Sequence, residues 1–304
     1  MNTATVHDTA TEQARKHYNS QDAHNLYQFV IGTDTLNLGL YDDQPTRTIA
    51  EAMKKTTEWM AEKAVGLNEH SRILDIGAGY GPAARYLAKT YGSHVTCLNI
   101  SEEQNERNKM LNHQQGLSNL INVVYGNFKE MPIEDTTFDL AWTQDALFHT
   151  DELDKVLSET YRVLKPGGQF LLMDILQADN CPDGALKTAL SRIRIDHDRI
   201  GSFEYYKTIA NDLGFELLSV VDLSPHLLTH YTRWRDAVIE HETELGKICS
   251  MEFLELTKVG LNHWVEAAEN GLFTWGLFHF QRPPSKHHQS ITSSNTTTHA
   301  HGKI

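Results

Sequence analysis

The sequence predicts an α/β fold: a doubly wound, mostly parallel sheet with helices on both faces, a helical N-terminal cap, and a helical lid insertion before the last strand. Three observations carry this. A glycine-rich turn, Gly77-Ala78-Gly79-Tyr80-Gly81, directly joins an apolar strand to a helical pattern. Short strands and helical segments then alternate with short connections up to residue 174. From 175 to 272 that rhythm breaks into mostly helical pattern, ahead of a closing strand.

Taken in order, residues 1–12 read as a disordered start, and residues 1–45 as a cap segment ahead of the main domain, 46–282. Between Thr46 and Gly66, Ile49, Met53, Trp59, Met60 and Ala64 recur at helical spacing. Arg72 to Ile76 is an apolar strand running into the glycines. Further strands are expected at 94–99, 121–125, 138–142 and 168–174, with helices at 82–91, 102–116 and 151–164. Lys165-Pro166-Gly167-Gly168 ends one helix and turns into the next strand. Helices follow at about 202–213, 226–248 and 250–270, with a strand near 215–222 and a last strand from Phe273 to Gln281. The insertion, about 180–270, would lie as a lid over the ligand edge of the sheet. Residues 283–304 are rich in Ser, Thr, His and Asn and read as a disordered tail.

Bulk chemistry narrows the partners. With 40% hydrophobic and 22% charged residues, the 304-residue chain can build a packed core. A net charge of −13 repels nucleic-acid phosphates and anionic lipid. No apolar run is long enough to span a membrane, and the start, Met1 to Arg15, has no secretory h-region. Cys97, Cys181 and Cys249 are far apart and form no CxxC pair, which fits reduced thiols in a cytoplasm and gives a metal site no support. Of the 17 histidines, His287, His288, His299 and His301 stand in the tail. The expected partner is a small molecule, with no nucleic acid and no membrane, for a monomer or homodimer.

The glycine turn is GxGxG rather than the GxGxxG of a dinucleotide site, and no Lys-Ser/Thr follows it, which excludes a P-loop. A tight strand-to-helix turn without a ligand is the bland alternative. Other strand ends carry polar residues. Asn99-Ile100-Ser101 and Gln104 follow the second strand, where a ribose would lie. Gly126-Asn127-Phe128 follows the third strand, and Thr143-Gln144-Asp145-Ala146-Leu147-Phe148-His149 the fourth.

Together these residues resemble the seven-stranded, Rossmann-like methyltransferases that use S-adenosyl-L-methionine (SAM), over roughly residues 70–175. That resemblance implies SAM as cofactor, S-adenosyl-L-homocysteine as product, and a final antiparallel hairpin. It implies that Asp75, Gly77, Ala78 and Gly79 cradle the methionine part, and that Asn99, Ile100 and Gln104 meet the ribose. Asn127 and Phe128 would flank adenine, and Gln144 would lie near the amino-acid moiety. Asn99 departs from the family's usual Asp or Glu; an amide can still bond hydroxyls, without charge.

The flanks are similar to the sarcosine/dimethylglycine N-methyltransferases, which make glycine betaine. The similarity runs over about residues 15–282, through Tyr18, Tyr27, the Arg192 to Asp198 run, Tyr205-Tyr206, His230-Tyr231, Asn262-His263-Trp264 and Thr274-Trp275-Gly276. Ile31-Gly32-Thr33-Asp34 departs from the family's Trp-Gly-Gly-type run. An acceptor of this class has a carboxylate, which points to an arginine clamp, Arg192 first and Arg194 second; surface pairing with Asp196 or Asp198 is the alternative. The cationic nitrogen that forms on methylation would face Tyr18, Tyr27 or Trp275. Proton removal from the acceptor ammonium calls for a nearby base; His149 follows the fourth strand and Tyr18 lies in the cap, a Tyr–His pair that resembles the phosphoethanolamine methyltransferases, with Tyr18 also expected as a cofactor contact, and His197 and His230 are further lid candidates. The competing expectations are a methyltransferase of the same fold on a phosphobase, a sterol-like lipid or a phenol, and a SAM-binding protein without catalysis.

Overall fold

The computed structural model describes residues 12, 20–32, 34–41, 44, 46–192 and 199–285, the side chains of residues 191 and 192 excepted. Seven strands form one sheet: β1 Arg72–Ile76, β2 His94–Asn99, β3 Ile121–Tyr125, β4 Phe138–Gln144, β5 Leu164–Gln177, β6 Glu216–Asp222 and β7 Phe273–Gln281. Their order is β3-β2-β1-β4-β5-β7-β6, parallel except for β7, which runs antiparallel between β5 and β6.

The helices are α1 Gln21–Val30, α2 Ile49–Ala61, α3 Pro82–Tyr91, α4 Glu102–Gln114, α5 Leu153–Val163, α6 Lys187–Arg192 and α7 Phe203–Asp212, then α8 Ser224–Glu240, α9 Glu242–Leu245 and α10 Met251–Glu269. Side-chain oxygens open several of them. Thr48 and Glu51 form a capping box on α2, Ser101 accepts from the Gln104 N–H at the start of α4, and Ser250 accepts from the Phe253 N–H at the start of α10.

Strand alternation sorts the core onto two faces. Ile73, Leu171, Met173, Ile175, Trp275 and Leu277 pack on one side with α2, α3 and the helices between β6 and β7. Leu74, Ile76, Phe170, Leu172, Phe278 and Phe280 pack on the other with α5 and α7. Helix α4 is the exception to apolar packing. It buries Gln104, Asn105, Asn108 and Asn112, and the buried Arg85 guanidinium donates to Asn108 Oδ1 and Asn112 Oδ1 at 3.3 Å each. A buried cation persists there because its donors are matched by amide oxygens.

Two elements differ from the sequence reading. The strand expected at 168–174 begins at Leu164, directly after α5, so Pro166 and Gly167 lie within its span. The helical pattern of 226–248 divides into α8 and the short α9. Within the segment read as a lid, β6 pairs with β7 and belongs to the sheet, whereas α8, α9 and α10 form the cover between them. The expected tail, from residue 286 on, and nearly all of the expected N-terminal start lie outside the described residues.

Candidate active site

At the carboxyl ends of β1, β2 and β4 the sheet reverses its winding, and a crevice of about 1020 Å³ opens there. Its floor is the glycine turn. Gly77, Gly79 and Gly81 have φ of 72°, 53° and 76°, and a Cβ at Gly77 would stand 2.5 Å from the Ala146 methyl. Only glycine lets the backbone pass so close to the β4 loop. Every described residue expected to bind the cofactor lines this crevice: Asp75, Gly77, Ala78, Gly79, Asn99, Ile100, Gln104, Asn127, Phe128 and Gln144. Tyr18 lies outside the described residues.

The crevice wall holds polar atoms that await a ligand. Asp75 Oδ2 and Gln144 Nε2 are buried without a hydrogen-bond partner among the described residues, while Gln144 Oε1 accepts from Thr57 Oγ1 at 3.3 Å. Burial pushes the Asp75 carboxyl up to about 7, against the opposing charge of Arg85. An unpaired acid and an unpaired amide N–H are complementary to the ammonium and carboxylate of a free amino acid. The Asn99 amide donates to Gln104 Oε1 at 3.0 Å. This wall fits the methionine and ribose parts of SAM.

A second cavity, about 1110 Å³, lies beneath α1, α8 and α10. Tyr27, Phe148, Tyr231, Trp234, Phe253 and Trp264 form much of its wall. The rings interlock: Tyr27 lies 5.6 Å from Trp234 and Tyr231 lies 4.7 Å from Trp264, centroid to centroid. No lysine or arginine lines it among the described residues. His230 does, 1% exposed.

Asp145 and His149 line both cavities. Asp145 follows β4 with φ 50°, a left-handed conformation uncommon outside glycine and typical of strained functional positions. Its carboxylate accepts the Leu38 N–H at 2.7 Å and the Trp275 indole N–H at 2.8 Å. Burial pushes it up to about 7 even so. His149 ends the helical turn Leu147–His149, its ring 4.2 Å from that of Phe148. Asp145 was missed as a site residue by sequence reasoning; its position after the fourth strand was the available signal. Trp275 was expected to face a cation, but it is fully buried and acts instead on Asp145. Tyr27 and His230 are brought to the inner cavity, while Arg194, His197 and the Arg192 side chain lie outside what is described.

Residues 74–172 match the methyltransferase domain family. The chain is 42% identical to a sarcosine/dimethylglycine N-methyltransferase from Halorhodospira halochloris, covering 90% of this chain and 98% of that protein. It is 39% identical to one of the same name from Aphanothece halophytica, covering 91% and 99%. A crystal structure from Galdieria sulphuraria, assigned as a sarcosine dimethylglycine methyltransferase, superposes with a TM-score of 0.81 at 35% identity, over 88% of this chain and 98% of that one. With the sheet order, the glycine turn and the unpaired Asp75 and Gln144 atoms in place, the chain is a SAM-dependent methyltransferase and belongs to the sarcosine/dimethylglycine N-methyltransferase family.

Proposed function

We propose that this enzyme methylates sarcosine and N,N-dimethylglycine to glycine betaine. The observation that carries this reading is the meeting of two unlike cavities at Asp145 and His149. One wall suits an amino acid and a ribose; the other is a set of aromatic faces suited to methylated nitrogen. When bound, SAM supplies an electrophilic methyl group open to in-line attack.

The roles follow from the chemistry at each place. Asp75 holds the cofactor's ammonium, Gln144 its carboxylate, and Asn99, Ile100 and Gln104 its ribose; Asn127 and Phe128 flank adenine, and Gly77, Ala78 and Gly79 give the backbone room. Tyr18 is the remaining proposed cofactor contact. The acceptor nitrogen attacks only as a free amine, so one proton leaves it first. His149 accepts that proton and passes it to solvent, with Tyr18 as its proposed partner. Asp145 faces the nitrogen, attracting the ammonium before proton loss and offsetting the positive charge that grows during transfer. The faces of Tyr27 and Tyr231 each add roughly 0.5–2 kcal/mol toward a cationic nitrogen. Arg192, Arg194, Tyr27, His197 and His230 are the proposed acceptor-binding residues. The cap and the α8–α10 cover keep water from the reacting atoms.

The apolar wall supports a second reading, a bulkier apolar acceptor such as a sterol-like lipid or phenol, and the lack of lysine and arginine among its described residues disfavours a phosphobase. No described helix is long and apolar enough to cross a membrane. We read the enzyme as cytoplasmic, a monomer or homodimer, acting on free small molecules without nucleic acid or membrane. The test is mass-spectrometric product detection with SAM and, separately, glycine, sarcosine, dimethylglycine and phosphoethanolamine. Betaine from sarcosine or dimethylglycine is the expected product; SAM binding with no methylated amino acid would sink the reading.

A further inference from the structure

His230 and Trp234 stand one helical turn apart on α8, and both line the inner cavity, their ring centroids 6.2 Å apart. His230 Nδ1 lies 3.2 Å from the Gly39 N–H and 2.9 Å from Tyr41 Oη. A backbone N–H can only donate, so Nδ1 is bare and the ring proton sits on Nε2. Burial, reinforced by the positive charge of Arg233, holds His230 down at about 3, so the ring stays neutral. Gly39 and Tyr41, which engage Nδ1, are not among the cavity's lining residues, so Nε2–H is the ring nitrogen left to serve a ligand there. Trp234 Nε1 is buried and has no acceptor among the described residues. An N–H left without an acceptor is costly to bury, which is the mark of a site waiting for one.

The cavity's charge layout says which acceptor. Its one acid among the described lining residues is Asp145. The consecutive N–H groups of Leu38 and Gly39 go to Asp145 and to His230 Nδ1, so one short segment anchors both the acid and the ring at this cavity. The ammonium end belongs against Asp145, and the anionic end, repelled by it, against the ring N–H groups.

We propose that His230 Nε2–H and Trp234 Nε1–H form an uncharged carboxylate subsite that selects amino-acid acceptors over amines of similar size without a carboxylate. This rests on the acceptor class proposed above. It also explains how a quaternary zwitterion can leave: neutral donors bind the carboxylate without locking it in a buried ion pair.

The test is calorimetric binding of dimethylglycine and of its alcohol analogue, N,N-dimethylethanolamine, to protein saturated with S-adenosyl-L-homocysteine. The wild type should prefer the acid. Trp234→Phe keeps an aromatic ring and removes the N–H. It should weaken dimethylglycine binding roughly tenfold and leave the alcohol unchanged, with KM for dimethylglycine rising in parallel and SAM affinity kept. His230→Leu should do the same or more. Equal losses for acid and alcohol would reduce Trp234 to a wall residue and overturn the subsite. Unchanged dimethylglycine binding in both variants, with the preference lost only in Arg192→Ala, would move the carboxylate to Arg192. A wild type that methylates neither sarcosine nor dimethylglycine refutes the substrate class itself, a result separate from any variant.

Discussion

The carboxylate of Asp145 accepts the indole N–H of Trp275 at 2.8 Å, joining the loop after β4 to the last strand of the sheet. Each donor on that carboxylate favours its charged form against burial. Trp275→Phe removes one donor, so the Asp145 pKa should rise further above about 7. If the charged acid is needed, turnover at pH 7 falls about tenfold and recovers partly at pH 9, whereas Asp145→Asn is impaired at every pH. A pH–rate series on both variants checks this; parallel profiles would remove the indole from any electrostatic role.

Asp75 should make the ligand-free protein less stable as pH rises. Its folded value of about 7 lies above the unfolded value near ~3.9, so ionisation favours the unfolded chain. The penalty is absent below the unfolded value, grows as pH rises through the range between the two values, and is complete above about 7. Asp75→Asn should therefore melt higher than wild type at pH 8, by a few kcal/mol, with the difference shrinking at pH 5. The same variant should bind SAM at least tenfold more weakly. Melting curves without ligand at the two pH values decide the sign.

Gly77→Ala should cost the cofactor site its shape. The residue combines φ of 72° with a Cβ position 2.5 Å from the Ala146 methyl. Destabilisation of about 1–3 kcal/mol and loss of SAM binding are expected. Adding Ala146→Gly should relieve the clash but not the backbone strain, so recovery by calorimetry should be partial.

His149→Ala should reduce kcat most at low pH, where the acceptor amine is protonated and a base matters, and least where the free amine is abundant. A pH-independent loss would assign the ring to positioning instead.

The parts of the fold that follow from local pattern were legible. Strand 94–99, strand 121–125 and helix 82–91 stand where apolar runs and flanking glycines place them. Helix α4 was legible although its buried residues are amides, because Ser101 caps its start. The cofactor crevice was readable because most of its wall comes from the turns that end successive strands. The inner cavity was not, since it draws Tyr27, Asp145, Trp234 and Trp264 from distant parts of the chain. Nothing near Asp145 in sequence announces that its partners are Leu38 and Trp275, 107 and 130 residues away.

The antiparallel placement of β7 between β5 and β6 has a consequence for biosynthesis. Most of the cofactor crevice wall lies between residues 75 and 149 and leaves the ribosome early, whereas Trp275, on the last strand among the described residues, follows more than a hundred residues later. Until that strand threads between its neighbours, β6 has no place in the sheet and Asp145 lacks its indole donor. A nascent chain therefore carries the cofactor-site sequence long before it can assemble the catalytic junction, so that prematurely terminated products would lack a completed site for methyl transfer.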